Sequence, residues 1–303
     1  MNIPRRQMLA GSLATGMLAG GSIAAASEHM LVIDTHVHCF AGTSSSAFPY
    51  HPQAPYRPIA PTPPELLLTR MDEAGVDRAC VVQPEPYQDD HRYLEHCLQI
   101  GDGRLKGTCL FFASQETSQQ TLRELVNRNS GNIVALRVHA YAPERLPPFE
   151  ATSLRDLWRT AADLNLAIQL HFEPRYAPLF EPLIRMFSKT TVVIDHLGRP
   201  LQGTPAEHAV VVGWADFPNT IMKISSLSDS SQYPHRDLAP IVKDLSLAYG
   251  SSRLIYGGGF DEHASGISYR GTRERIASML EYFTPEEQAQ IFGGNAAKLF
   301  RFL

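Results

Sequence analysis

Two kinds of hydrophobic pattern alternate along the chain. Short apolar runs rich in β-branched residues predict buried strands, and longer stretches with apolar positions every three to four residues predict amphipathic helices. The predicted strands span residues 31–35, 78–83, 107–112, 133–138, 167–170, 191–195, 220–224 and 253–256. The predicted helices span residues 64–74, 92–100, 118–128, 154–164, 179–187, 238–249 and 272–282.

Strands that alternate with single helices form parallel βαβ units, and eight such units close into a (β/α)8 TIM barrel of the α/β class. The alternative is an open doubly wound sheet, which requires a glycine-rich phosphate-binding turn after its first strand. The residues at that position are Asp34, Thr35 and His36, so the barrel is favoured. The serine- and proline-rich stretch 41–64 is predicted to be a loop over the barrel mouth.

The first 26 residues differ from the rest of the chain. They combine Arg5 and Arg6 with a small-residue apolar run and an Ala24-Ala25-Ala26 cleavage site, a pattern typical of an export signal of the twin-arginine type. A transmembrane anchor is the alternative, but the run is only weakly hydrophobic. We therefore expect an export signal at residues 1–26, one barrel domain at residues 30–303, and a periplasmic protein.

The overall charge excludes some partners. A net charge of −4 gives no basic surface for nucleic acid and none for an anionic membrane. The four cysteines have no zinc-ribbon spacing, so buried free thiols are expected. The expected partner is a small-molecule substrate, without stable membrane insertion, and a homo-oligomer is compatible with the sequence.

Polar residues collect where the predicted strands end. In a parallel barrel these carboxyl ends share one open face, which is where enzymes of this fold place their active sites. The residues expected there are His36, His38, Arg137, His139, His171, His196, Arg199, Lys223 and Ser225. His139 and His263 are interpreted as loop residues, and Cys39 is expected to face away from the two neighbouring histidines.

This set suits two kinds of chemistry. His36, His38, His171 and His196 with an acid would suit a divalent metal such as zinc, which activates a bound water. Arg137 and Arg199 would suit a substrate carboxylate, or alternatively salt bridges to Glu173 or Asp195.

Ordered motifs carry a family resemblance. IDTHVH at 33–38, VVIDHLGRP at 192–200, MKISSL at 222–227 and IFGGNAAKLFRF at 291–302 resemble the amidohydrolase superfamily. More narrowly, the chain is similar to the amidohydrolase-related group that includes 2-pyrone-4,6-dicarboxylate lactonase and sugar-lactone hydrolases. The segment that begins with AGVDRACVVQPEPY at residue 74 is similar to the second strand and helix of that group.

The resemblance implies a barrel of the metal-dependent hydrolase type, in which water attacks the carbonyl of a lactone, ester or amide. His36 and His38 match the first-strand pair, and His196 matches the histidine of the sixth strand. Arg199 matches a residue that binds a substrate carboxylate, and Lys223 matches the K-x-S motif of strand seven. The implied cofactor is one divalent metal, zinc or manganese, held by His36, His38 and His171. Lactonases of this group can also work without a metal.

The end of the eighth strand departs from the family pattern. The family ends this strand in G-S-D-W-P, whose aspartate is the general base, and here Gly259 occupies that position. Asp261 lies two residues downstream and is predicted to be the base, since a glycine-rich turn could bring it back into the site. Glu262 and His263 are alternatives, and so is a barrel with altered or absent activity.

The leading hypothesis is therefore a hydrolase of a small carboxylated lactone or ester, with Asp261, His196, His36 and His38 as its catalytic residues. Arg199, Arg137 and Lys223 are expected to bind the substrate. The alternatives are a metal-dependent non-oxidative decarboxylase on the same barrel and a catalytically silent protein that binds small acids.

Overall fold

A computed structural model describes residue 1 and residues 29–115, 117–129, 131–141, 146–227 and 237–302. The predicted export signal therefore lies outside the described residues, apart from Met1. Among the described residues, no helix has both the length and the apolar character needed to cross a membrane.

Eight parallel strands form one sheet in which sequence neighbours are also spatial neighbours. This arrangement confirms the predicted (β/α)8 barrel, and each strand contains most of its predicted core. The strands are β1 Ile33–Val37, β2 Arg78–Val82, β3 Leu105–Leu110, β4 Ile133–Ala140, β5 Ala167–Phe172, β6 Val192–Ile194, β7 Thr220–Ile224 and β8 Leu254–Tyr256.

Helices connect the strands and cover the outside of the barrel. They are α1 Pro64–Ala74, α2 Arg92–Ile100, α3 Ser118–Arg128, α4 Thr152–Asp163, α5 Ala177–Met186, α6 Pro205–Gly213, α7 Ala239–Tyr249, α8 Gly266–Met279, α9 Pro285–Ala289 and α10 Asn295–Leu299, with a π-helical turn at Gln290–Gly294.

Helix α6 was not predicted. Its three valines at 210–212 are consecutive, so they lack the spacing that indicates an amphipathic helix. Its start nevertheless carries a local signal, because Thr204 and Glu207 form a capping box around Pro205. The cap and the proline at the first turn identify this helix better than its hydrophobic pattern does.

Side chains join the two ends of the sheet. The Thr35 hydroxyl of β1 donates a hydrogen bond to the Tyr256 carbonyl of β8 at 2.6 Å. Asp34 Oδ1 accepts a hydrogen bond from Gly258 N at 2.7 Å, and its Oδ2 accepts one from Tyr269 OH on α8 at 2.7 Å. Burial raises the pKa of Asp34 to about 6, although these bonds act in the opposite direction. The seam of the barrel thus depends on the residues that immediately precede His36.

An apolar cluster fills the amino-terminal end of the barrel. Ile33, Val193 and Ile255 of the strands pack there with Phe300 and Phe302 from the carboxyl terminus. Because this end is closed by hydrophobic side chains, polar chemistry is confined to the opposite, carboxyl-terminal end of the strands.

Candidate functional site

Five imidazole rings form an arc across the open end of the barrel. In spatial order they are His38, His36, His196, His171 and His139, with ring centroids 4.9, 4.4, 5.3 and 5.0 Å apart. They come from β1 and the residue after it, from β4 and β5, and from the turn after β6, so distant parts of the chain meet here. His139 was interpreted as a loop residue, which is wrong: it lies inside β4 and is only 5% exposed.

Beneath the arc, Asp195 is the centre of a buried group of charges. Its Oδ1 lies 3.0 Å from Lys223 Nζ, and its Oδ2 lies 3.1 Å from Arg137 Nε. Gln169 donates a further hydrogen bond to Oδ2 at 2.9 Å. Burial alone would raise the pKa of Asp195, but the charges of Lys223 and Arg137 outweigh it and hold that pKa well below its usual value. The carboxylate is therefore ionised inside the protein.

Arg137 and Lys223 were expected to bind the substrate directly. Arg137 is 3% exposed and Lys223 is 0% exposed, so both lie behind the wall of imidazoles. Lys223 Nζ also donates to the Thr35 carbonyl at 3.0 Å and lies 3.4 Å from His36 Nδ1. For Arg137, the structure matches the alternative of a salt bridge to Asp195.

The hydrogen bonds of His38 define its tautomer. Its Nδ1 lies 2.8 Å from the Val82 carbonyl, and only an N–H can face a carbonyl oxygen at that distance. The lone pair is therefore on Nε2, which lies 3.3 Å from Nε2 of His36. Burial lowers the pKa of His38 to about 4 and that of His196 to about 3, so both rings are neutral at physiological pH.

Several side chains of the arc could act as metal ligands. Within the described residues, His36, Asp195 and His196 offer ligand atoms that all lie within 4.8 Å of one another. Both oxygens of Asp195 already face buried cations, so this carboxylate is a poor ligand. Two nitrogens bound tetrahedrally to zinc at about 2.0–2.1 Å would lie about 3.3 Å apart. The Nε2 atoms of His36 and His38 have that separation, so the imidazole pair fits a cation.

His171 differs from the ligand set that the sequence predicted. Its Nε2 lies 2.9 Å from Arg199 Nη1, which can only donate, so the lone pair of His171 is directed at the guanidinium. This geometry directs His171 toward Arg199 rather than toward His36 and His38.

The turn after β6 has an unusual backbone. His196, Leu197, Gly198 and Arg199 have φ angles of 54, 57, 69 and 55°, a consecutive run in the left-handed region. Such conformations are costly for residues other than glycine and concentrate at functional sites. His208 lies beneath the turn, with its Nε2 2.7 Å from the Leu197 carbonyl. The turn places His196 and Arg199 on the same side of the barrel mouth.

Arg199 is the cation that faces the mouth. It is partly exposed, and among the described residues no carboxylate lies within ion-pair distance of it. Its guanidinium lies 5.3 Å from the centre of the Tyr141 ring. Together with His171, His196 and Leu197, it lines a cavity of about 270 Å³. This cavity can take a small molecule that carries a negative charge.

Asp261 lies in the turn that follows β8. Asp261 is exposed, and its Oδ1 accepts a hydrogen bond from His263 N at 2.8 Å. It shares a cavity of about 390 Å³ with His36, His38 and His196. A Cβ at Gly259, where φ is 120°, would approach Tyr269 Cδ2 to 2.8 Å. A side chain at position 259 would therefore require Tyr269 to move. The role of Asp261 as the general base stays a prediction.

Glu85 is a site residue that the sequence interpretation overlooked. It lies three residues after the end of β2, and its Oε1 lies 3.1 Å from His139 Nδ1. The signal was an acid at a strand end, in the segment QPEPY at 83–87, which has the same placement as the histidines.

Comparison with known proteins agrees with this architecture. The sequence model of the amidohydrolase family matches residues 33–302, and the chain therefore belongs to the amidohydrolase family. It is an enzyme of the hydrolase class.

Three individual proteins illustrate the similarity. The chain is 28% identical to L-fucono-1,5-lactonase from Burkholderia ambifaria, over 89% of this chain and 95% of the relative. It is 27% identical to 4-sulfomuconolactone hydrolase from Rhizobium radiobacter, over 74% of this chain and 73% of the relative. A crystal structure of a probable 2-pyrone-4,6-dicarboxylic acid hydrolase from Acinetobacter baumannii, with citric acid bound, superposes with a TM-score of 0.71. That structure is 22% identical, and the match covers 90% of this chain and 100% of the other.

The buried charges lead to a prediction about stability. Replacing Lys223 by Met should lower the free energy of unfolding by about 3–5 kcal/mol, because Asp195 would lose a buried partner. Urea unfolding followed by circular dichroism measures this change. The control is Arg92→Met, which removes an ion pair to Asp90 whose arginine is 61% exposed, and should cost less than about 1 kcal/mol. Equal, small losses in the two variants would show that the buried group does not stabilise the fold.

Proposed function

We propose that this enzyme hydrolyses a small lactone that carries an anionic substituent such as a carboxylate. The observation that carries the proposal is Arg199, a cation without an ion-pair partner among the described residues, beside neutral imidazoles at the barrel mouth. Support for the lactone comes from the two relatives, which are named as a lactonase and as a lactone hydrolase.

In the proposed reaction, Arg199 binds the anionic substituent and orients the lactone ring against the imidazoles. Water adds to the carbonyl carbon, and the carbonyl oxygen becomes negatively charged. The buried group beneath His36 contains two cations, Lys223 and Arg137, and one carboxylate, so it has an excess of positive charge. That excess stabilises the negatively charged carbonyl oxygen of the transition state more than it stabilises the neutral carbonyl of the bound lactone.

A proton must leave the attacking water and reach the ring oxygen as the ester bond breaks. The sequence assigns this transfer to Asp261, whose side chain shares the cavity of His36 and His38. A divalent cation, which His36 and His38 would hold, would polarise the carbonyl and acidify water.

The lactone specificity can be tested with a matched pair of substrates that differ only in a carboxylate. We expect the wild-type protein to prefer the carboxylated lactone. Arg199→Met should raise KM for that lactone about 10- to 100-fold, the value of one lost charged hydrogen bond. KM for the neutral lactone should change by less than about threefold, since that lactone has no anionic substituent for Arg199 to bind.

Arg175→Met is the control for this experiment, since Arg175 is a surface arginine paired with Glu173. Failure of the wild-type protein to open either lactone would refute the proposed function. Release of carbon dioxide from aryl carboxylates would favour the decarboxylase instead. Stoichiometric binding of small acids without turnover would favour a silent binding protein.

We also propose that a bound cation would be held by His36 and His38 and not by His171. Calorimetric titration of the metal-free protein with zinc tests this assignment. His38→Ala should abolish zinc binding, because it removes one of two nitrogens with the required separation. His171→Ala should leave it intact, because the lone pair of His171 faces Arg199. Loss of zinc binding in both variants would contradict this assignment and support the predicted ligand set of His36, His38 and His171.

We propose that residues 1–26 direct export to the periplasm, on the basis of Arg5, Arg6 and the alanine cleavage site. Cell fractionation with amino-terminal sequencing tests this: the wild-type protein should be periplasmic and begin near residue 27. The double variant Arg5→Lys, Arg6→Lys should remain in the cytoplasm at full length. A periplasmic double variant would contradict a twin-arginine route.

A further inference from the structure

Glu85 and His139 form a buried pair at the end of the imidazole arc. The His139 side chain is 2% exposed and that of Glu85 is 10% exposed; His139 lies in β4, and Glu85 lies in the short 3-10 helix after β2. The pair lies in the wall of a cavity of about 380 Å³ that Gln88, Phe111 and Ser114 also line. On its other side, the His139 ring contacts His171 edge-on. The pair thus lies between a cavity and the residues that are proposed to bind the substrate.

The surroundings of His139 determine which of its nitrogens carries hydrogen. Nδ1 lies 3.1 Å from a carboxylate oxygen of Glu85 and 3.2 Å from the Tyr141 hydroxyl. A lone pair facing a carboxylate at that distance would be repelled, so Nδ1 carries the hydrogen. The lone pair is then on Nε2, which is buried and has no hydrogen-bond partner among the described residues. Buried polar atoms without a partner are rare in folded proteins, and a catalytic role is one physical reason for such an atom.

Charge supports the same assignment. Burial lowers the pKa of His139 to about 4, although Glu85 acts in the opposite direction. The ring is therefore neutral at physiological pH and has about the basicity of an aspartate. When it takes up a proton, the imidazolium lies beside the Glu85 carboxylate, which stabilises it.

We infer that His139, positioned by Glu85, is the general base of the proposed lactone hydrolysis, in the role that Gly259 leaves without a strand-eight aspartate. This inference rests on the proposed function. Nε2 accepts a proton from water as the water oxygen bonds to the carbonyl carbon and the carbonyl π electrons move to oxygen. When the tetrahedral intermediate collapses, the bond between carbon and the ring oxygen breaks. Nε2–H then returns its proton to that oxygen, and the product is the hydroxy acid.

Glu85 is a positioning residue in this scheme. A glutamine at position 85 would donate an amide N–H to Nδ1, which would move the ring hydrogen to Nε2 and remove the lone pair needed by the water. The shape of the pair would be conserved while its function was lost. Asp261, in contrast, already accepts a hydrogen bond from its own loop.

The experiment compares the steady-state kinetics of His139→Ala, His139→Gln and Glu85→Gln with the wild-type enzyme on the best lactone. Each variant should lose about 100-fold or more in kcat with little change in KM, as expected for a general base. Imidazole added to His139→Ala should restore at least a tenth of the lost rate, which a purely structural role would not permit. The control is His91→Asn, since His91 is a buried histidine that lines none of the three cavities described above and its Nε2 accepts a hydrogen bond from Leu110 N at 3.2 Å. Its kcat should stay within about threefold of wild type.

The outcomes separate this inference from the proposed function. If the wild-type protein opens no lactone, the proposed function itself fails. The inference fails if wild type is active and His139→Gln keeps kcat within about threefold of the wild-type value. This conclusion holds even if His139→Ala does not fold. Loss in both His139 variants without rescue by imidazole would assign His139 to packing. An inactive Asp261→Asn beside an active His139→Gln would return the role to Asp261.

Discussion

The ionised carboxylate of Asp195 is the constraint on which the rest of the site depends. A fully buried carboxylate is tolerated only if cations and hydrogen-bond donors compensate for the lost hydration. Lys223 from β7 and Arg137 from β4 supply the charge, and Gln169 from β5 supplies a hydrogen bond. Three strands are therefore tied to the end of a fourth, β6. Since His196 follows Asp195 directly, its position in the arc is determined by this group of charges.

The same group determines the orientation of His36. Lys223 Nζ lies between Asp195, the Thr35 carbonyl and His36 Nδ1, so the lysine links the buried charges to the β1–β8 seam. A rigid base of this kind can support conformations that are costly elsewhere, including the left-handed run through Arg199. Asp195 immediately precedes this turn, His208 contacts its Leu197 carbonyl, and Arg199 at its end lines the mouth cavity.

The sequence predicted the parts of this protein that depend on local pattern. Strand order, barrel closure and the histidines at strand ends follow from periodicity and from the geometry of parallel strands. The salt bridge between Arg137 and Asp195 was one of the alternatives that the sequence left open. The contacts of Lys223 and Gln169 with Asp195 could not be predicted, because contacts between distant strands have no local signature. His139 was assigned to a loop because the length of β4 was underestimated by two residues at its carboxyl end. Predicting ends of elements is less certain than predicting their existence.

Positive charge exceeds negative charge around Asp195 and Arg199, and this excess indicates which substrates the site favours. Two buried cations face one carboxylate beneath His36, the imidazoles above them are neutral, and Arg199 adds a positive charge at the mouth, whereas the Glu85 carboxylate lies at the far end of the arc and Asp261 lies in the turn after β8. The positive excess beside His36 and Arg199 favours an anion that gains negative charge during reaction. Hydrolysis of an anionic lactone meets both conditions, since the substituent is charged at the start and the carbonyl oxygen becomes charged in the transition state. The group that accepts the proton becomes positively charged in this positive surrounding. For His139, at the end of the arc, the neighbouring Glu85 carboxylate compensates for that charge.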